Sequence, residues 1–180
     1  MLVDPLMKYN NHFVLDVESD GPHPMAFNMI SFGLVNLEDM SKTYLGEVYP
    51  IYDDPGIPEA RAVSGISFED QQEYRPAHKV MIEAHNWIRE ITLSQRAIFW
   101  SDNPAFDWQF WNAYSHHYAG DNPAGWSARK IGDYAAGLSG NPRNTTRWKR
   151  KRKTKHDHNP VNDALGNAQA LRKLLERNST

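Results

Sequence analysis

Cysteine is absent from this chain of 180 residues, which excludes disulfides, zinc ribbons, thiolate metal sites and cysteine nucleophiles. Also missing is any apolar run approaching the roughly 18–20 residues that a membrane span needs. The opening residues, Met1-Leu2-Val3-Asp4-Pro5, lack the basic-then-apolar order of a secretory leader. A cytoplasmic protein fits these absences. No internal repeat and no dividing linker is visible, so residues 1–180 are expected to form one domain, long enough to bury a proper core. Six Trp, eight Tyr and seven Phe supply bulky material for that core.

Charge is spread unevenly. Residues 143–155 hold 8 of the 20 Lys and Arg and no acid, which leaves 12 basic against 22 acidic residues elsewhere, a balance of −10. A basic strip on an acidic body is the electrostatic footprint of a polyanion partner, although a charge run is by itself often only a solvated loop. Its position, ending three residues before His158, favours nucleic-acid contact.

Hydrophobic periodicity orders the chain. Residues 12–18 read as a short buried strand closed by the turn Ser19-Asp20-Gly21-Pro22, and 27–37 and 43–52 as two further strands of an antiparallel meander. The Pro-, Gly- and acid-rich stretch 53–75 is expected to cross the surface as loop. Ala77, Val80, Met81, Ala84, Trp87, Ile88 and Ile91 recur at helical spacing, so 76–94 is an amphipathic helix with Pro76 near its first turn. Residues 97–100 form a buried strand, 105–118 and 128–138 read as helices, and 120–127 and 139–157 as loops. Asn159 can cap a last helix that opens at Pro160 and carries Val161, Ala164, Leu165, Ala168, Leu171 and Leu175 on its apolar face. Strands first, then helices alternating with strands, imply an α/β fold with a mixed sheet and helices against it.

Three acidic patterns carry the chemistry. Asp16 and Glu18 lie two apart on a strand, so both carboxylates leave one face, where they repel unless a cation lies between them. Asp107 ends Asn103-Pro104-Ala105-Phe106-Asp107 after a buried strand, in the strand-to-helix crevice where α/β sheets place ligands; a plain helix-start carboxylate is the bland alternative. His158 and Asp163 stand five apart at the head of the last helix. His116 and Asp121 repeat that spacing, but within a helix end and a Gly/Asn/Pro turn that cannot fold back beside Asp107. Each pattern alone is weak. Trp108, Phe110, Trp111 and Tyr114 are expected in the core rather than as a base-stacking platform.

Together, Asp16/Glu18, Asn103/Phe106/Asp107 and His158/Asp163 resemble, in the right order, the motifs Asp-x-Glu, Asn-x-x-Phe-Asp and His-x-x-x-x-Asp of the DEDDh 3′-5′ exonucleases. That family is a branch of the ribonuclease H-like fold, and the resemblance covers about residues 12–175. Ser64-Gly65-Ile66 is similar to the family's His-Gly-Ile segment, and the chain's length is similar to that of the small stand-alone bacterial and phage exoribonucleases of the mycobacterial type. The resemblance implies a central mixed five-stranded sheet, three strands antiparallel and then two parallel, flanked by helices. It implies two Mg²⁺ ions, replaceable by Mn²⁺, with Asp16 bridging them, Glu18 and Asp163 completing the first and Asp107 helping to hold the second. His158 is then the general base, and nucleoside 5′-monophosphates leave from the 3′ ends of single-stranded RNA or DNA, RNA being favoured. A proofreading-like DNA enzyme and a non-catalytic nucleic-acid-binding module are the alternatives, and a homodimer is possible. Substrate contacts are expected at Ser19, Gly21, Asn103 and Phe106, at Lys149, Arg150 and Lys151 of the basic loop, and at Trp148 by stacking. One departure stands out. Where relatives carry Thr-Gly-Leu, with Leu wedged beside the terminal base, this chain has Ser19-Asp20-Gly21-Pro22-His23-Pro24-Met25. The wedge is missing or comes from Pro22 or Met25, and Asp20 adds negative charge near the metals.

Overall fold

A computed structural model describes residues 8–176; the leader reading at residues 1–5 lies outside the described residues. Five strands form one sheet: β1 (His12–Ser19), β2 (Met29–Asn36), β3 (Thr43–Glu47), β4 (Ile98–Ser101) and β5 (Ala128–Lys130). Their spatial order is β3-β2-β1-β4-β5, with β1, β2 and β3 antiparallel and β4 and β5 parallel to β1. This is the mixed α/β arrangement of the ribonuclease H-like fold.

Strand β1 is central, and its alternation divides the core in two. Phe13, Leu15 and Val17 face a cluster built with α3 (Ala77–Thr92) and α4 (Pro104–Tyr114), in which Val80, Met81, Ala84, Ile88, Phe110, Trp111 and Tyr114 are buried. Val14 faces the other cluster, with Ile131 of α5 (Ile131–Ser139) and Ala164, Ala168 and Leu171 of α6 (Pro160–Glu176). The same period of two that sends Val14 towards α6 sends Asp16 and Glu18 there. Directly across the β1–β2 ladder from Asp16 is Gly33, and a Cβ at Gly33 would collide with the backbone of Pro160. The missing side chain lets the first turn of α6 lie against the sheet beside Asp16.

Several segments differ from the sequence reading. Residues 53–75 are not all loop: they hold α1 (Pro58–Ser64) and α2 (Phe68–Gln71), anchored by the buried Arg61 and Gln71. Residues 128–138 begin as strand β5 and only then turn helical, and the third strand ends at Glu47 instead of residue 52. The helix expected to reach 118 leaves α geometry at Tyr114 and continues as one π-turn, Ser115–Ala119. Inside the expected loop 139–157 is a 3₁₀ turn, Arg147–Lys151, whose Trp148 is 2 % exposed and donates its indole N–H to the Thr145 carbonyl at 2.8 Å. Trp148 therefore packs in the α5–α6 core and is not free to stack on a base. Among the described residues no helix is long and apolar enough to cross a membrane.

Candidate active site

The site begins where the sheet splits. β1 and β4 pair only over His12–Val14 and Ile98–Trp100, and beyond that the strands part. The Val17 N–H, beyond that pairing, donates to Asp107 Oδ1 at 3.1 Å. The Ser101 hydroxyl at the end of β4 donates to Asp107 Oδ2, so both Asp107 oxygens are held at the head of α4. This is the crevice at the carboxyl ends of the strands, where open α/β sheets bind ligands.

Into the same crevice β1 sends Asp16 and Glu18, and α6 sends Asp163. One carboxylate oxygen from each of these three lies within 4.8 Å of the others. Asp163 is fully buried and Asp107 nearly so. Asn159 caps α6 as expected, its Oδ1 accepting from the N–H groups of Val161 and Asn162 at 3.1 Å each, which starts the helix in the right place for Asp163. Just before the cap, His158 adopts φ +60°, a left-handed conformation costing a non-glycine residue roughly 1–2 kcal/mol. In that conformation its backbone N–H donates to Asp163 Oδ2 at 3.1 Å, while its ring Nδ1 stands 3.8 Å from Glu18 Oε1.

So much buried negative charge raises proton affinity. Burial, followed by repulsion from Asp107, Glu18 and Asp163, lifts Asp16 well above the usual carboxylate range. Burial, with Asp163 and Asp107, pushes Glu18 up to about 8. Asp107 rises to about 7, mainly through burial, against the lowering effect of its hydrogen bonds from Ser101 and Val17. Carboxylates in this condition fit a divalent cation, which supplies in one ion the charge that the protein withholds.

A cleft of about 480 Å³ lies over the carboxylates. Of the residues expected at the site, Asp16, Glu18, Ser19, Gly21, Asn103, Phe106, Asp107 and His158 line it, and Asp163 completes the carboxylate set beneath. Gly21 serves packing as well, since a Cβ there would run into the Phe27 ring. Pro22 is in the cleft wall together with Ile57, Ala60 and Val63 of the α1 region. Met25 lies elsewhere, 84 % exposed beside a separate pocket, so of the two candidate wedges only Pro22 reaches the site.

Three placements depart from expectation. Asp20 does not add charge to the carboxylate set: it is fully buried, accepts from the backbone N–H and side-chain amide of Asn28, and pairs with Arg61 at 2.8 Å. The basic strip divides. Lys149 pairs with Asp102 of the cleft wall at 2.5 Å, whereas Arg150 and Lys151 line a different cavity with Arg147 and Trp148. Arg152 turns inward, its Nη2 2.8 Å from Asp163 Oδ1, and crosses Gly166, where a Cβ would come within 2.5 Å of Arg152 Nε. The rival pair is remote from this chemistry, Asp121 being held by Arg89 at 2.8 Å.

Sequence reasoning missed Arg152, Ser101 and His156. His156 Nδ1 contacts Asp163 Oδ2, and its ring centroid is 4.4 Å from that of His158. The repeated His-x-His at 156 and 158 was the available signal. For Arg152 the signal was the small residue Gly166 on the inner face of an otherwise well-formed helix.

Fold and cleft define a class, the nucleases of the ribonuclease H-like superfamily that gather acidic residues from the central strand and the last helix. Within it the chain belongs to the DEDDh 3′-5′ exonucleases. It is 32% identical over 173 residues to the 3′-5′ DNA exonuclease Cap18 of Escherichia coli, covering 91% of this chain and 92% of that one. Among solved structures, the nuclease domain of 3′hExo, a DEDDh family member bound to rAMP, superposes with a TM-score of 0.73 at 14% identity, over 95% of this chain and 94% of that one. Exonuclease X in complex with 5′ overhanging duplex DNA gives 0.67 at 15% identity, over 94% and 93%. No family model matches the chain.

Proposed function

We propose that the protein removes nucleotides one at a time from the 3′ end of single-stranded DNA, releasing nucleoside 5′-monophosphates. The observation that carries the chemistry is the meeting of Asp16, Glu18 and Asp163 within 4.8 Å, with Asp107 and His158 in the same cleft. The sequence reading favours RNA. The choice of DNA rests on the 32%-identical relative, which is named a DNA exonuclease.

Asp16, Glu18 and Asp163 would hold one divalent cation, and Asp16 with Asp107 a second, Mg²⁺ with Mn²⁺ as substitute. When bound, such ions polarise the scissile phosphodiester and stabilise the charge that develops on its oxygens. The rest falls to the chain. His158, half-exposed at the rim and held in its left-handed turn by the Asp163 hydrogen bond, takes a proton from water. The water oxygen bonds to phosphorus in line, the bond to the 3′ oxygen breaks, and that oxygen takes its proton from solvent. Phe106, Pro22, Ile57 and Val63 form the apolar wall for the terminal base, and the 19–21 turn approaches the terminal sugar. Lys149, at the cleft edge, exchanges Asp102 for a backbone phosphate.

The test uses matched 5′-labelled single-stranded DNA and RNA, with Mg²⁺ or EDTA, comparing wild type with Asp16→Asn. A Mg²⁺-dependent ladder shortening from the 3′ end, faster on DNA and reduced by roughly 10³-fold or more in the variant, is the expected result. Faster loss of RNA would reverse the substrate assignment. Retained binding without cleavage of either strand would leave a non-catalytic module.

A further inference from the structure

We propose that His156, His158 and Asp163 form a site for a borderline transition-metal ion, Zn²⁺ or Co²⁺, distinct in its donors from the all-carboxylate set. One ligand atom from each of the three residues lies within 4.8 Å of the others, and the two imidazole rings are 4.4 Å apart at 53°. The imidazoles are about half exposed, so an ion can reach them, while Asp163 is fully buried and fixed. Two imidazoles and a carboxylate, with room for solvent as a fourth donor, are a set that suits Zn²⁺. Mg²⁺ prefers oxygen alone and gains nothing from His156.

The direction of the Asp163 carboxylate is set in advance. The Asp163 carboxylate is oriented by Arg152 through Oδ1 and by the His158 backbone N–H through Oδ2, so its direction does not depend on His156. His156 enters from the solvent side as a further donor to the same oxygen. An ion bound there would occupy Asp163 and His158 together. Resting on the exonuclease reading above, its consequence is inhibition: the ion takes the base and one carboxylate at once.

Binding is tested without nucleic acid, so its outcome is separate from that of the exonuclease assay. Metal-stripped protein is titrated calorimetrically with Zn²⁺, and the visible absorption of its Co²⁺ complex is recorded. The key variant is His156→Asn, which keeps a hydrogen-bonding partner for Asp163 but is a poor metal ligand. The expectation is one tight Zn²⁺ in the wild type, weakened by about tenfold or more in His156→Asn, with loss of the Co²⁺ band from nitrogen coordination. Asp16→Asn, which dismantles the carboxylate set and leaves the histidines, should retain both signals. Unchanged Zn²⁺ affinity and Co²⁺ spectrum in His156→Asn would overturn the proposal, as would their loss in Asp16→Asn, since either result puts the ion among the carboxylates. His156 is 55 % exposed, so its replacement spares the core; a thermal melt of the variant confirms that.

Discussion

Strand β1 and the residue that follows it carry acids to two opposite fates. Asp20, just past the strand, is enclosed by protein donors: the Asn28 N–H at 2.6 Å, its amide at 2.8 Å and the Arg61 guanidinium at 2.8 Å. Arg61 is itself tied to Gln71 Oε1 at 2.9 Å, and Gln71 donates to the Met29 and Val48 carbonyls. This closed network locks α1 and α2 onto the sheet. Asp16 and Glu18 have no such enclosure: among the described residues no hydrogen bond reaches either carboxylate, and the His158 ring Nδ1 stands 3.8 Å from Glu18 Oε1. One acid is a structural tie and the other two are left without protein donors, although all three lie within five positions of the chain. What separates them is whether the surrounding chain supplies donors.

That contrast can be broken from either side. The largest effect on stability is expected from Arg61→Ala, which leaves Asp20 buried without its counter-ion and should destabilise by roughly 3–5 kcal/mol. Asp16→Asn should do the opposite in EDTA, relieving repulsion and stabilising by on the order of 0.5–2 kcal/mol, while losing most of its activity when metal is restored. Denaturant melts of both proteins check the pair; equal destabilisation would erase the distinction.

A pH series sharpens it further. The pKa of Glu18 is higher in the folded chain, about 8 against 4.5, so the folded state keeps a proton that the unfolded state has released. The stability this confers is complete below about pH 4.5 and fades as pH rises to about 8, and Asp107, raised to about 7, adds to the same trend. Buried His12 and His85 act oppositely. Burial lowers each to about 4, so their contribution is present above pH 6.5 and lost as pH falls. Between pH 6.5 and 8 only the carboxylates contribute among these groups. The melting temperature in EDTA should therefore fall across that window, and millimolar Mg²⁺ should flatten the slope. A flat profile in EDTA would contradict the uncompensated charge.

The smallest effect is expected at Lys149. Its bridge to Asp102 is part-exposed, worth about 0–1 kcal/mol, so Lys149→Ala should barely move the melt. It should instead lower the salt dependence of oligonucleotide binding by about one ion.

Which parts were legible in the sequence follows from where the information lies. β1, β4, α3 and α6 announce themselves because their burial pattern is written in their own residues. The fifth strand, Ala128–Lys130, is three residues long with Arg129 and Lys130 exposed, and only the backbone of β4 makes it a strand. α1 and α2 depend on Arg61 and Gln71 meeting partners from β2, the turn after β1 and the loops, which no local period reveals. At the site, the carboxylates were readable as ordered motifs. The roles of Asp20 and Trp148 were not, because a charge or a ring in a polar stretch does not disclose whether it points inward. The same holds for Arg152, lost in a run of cations until Gly166 is seen beneath it.

Gly33 has a consequence beyond this one molecule. It lies opposite Asp16 in the ladder, and its absent side chain is the space that the Pro160 backbone fills. A relative could preserve all four acids and the histidine, replace this glycine, and lose the alignment between them as α6 is lifted from the sheet. Counting catalytic residues would score such a copy as intact. Inspecting the residue across from the first aspartate would flag it as disabled, which makes a position with no chemistry of its own a marker for telling working members of the family from silent ones.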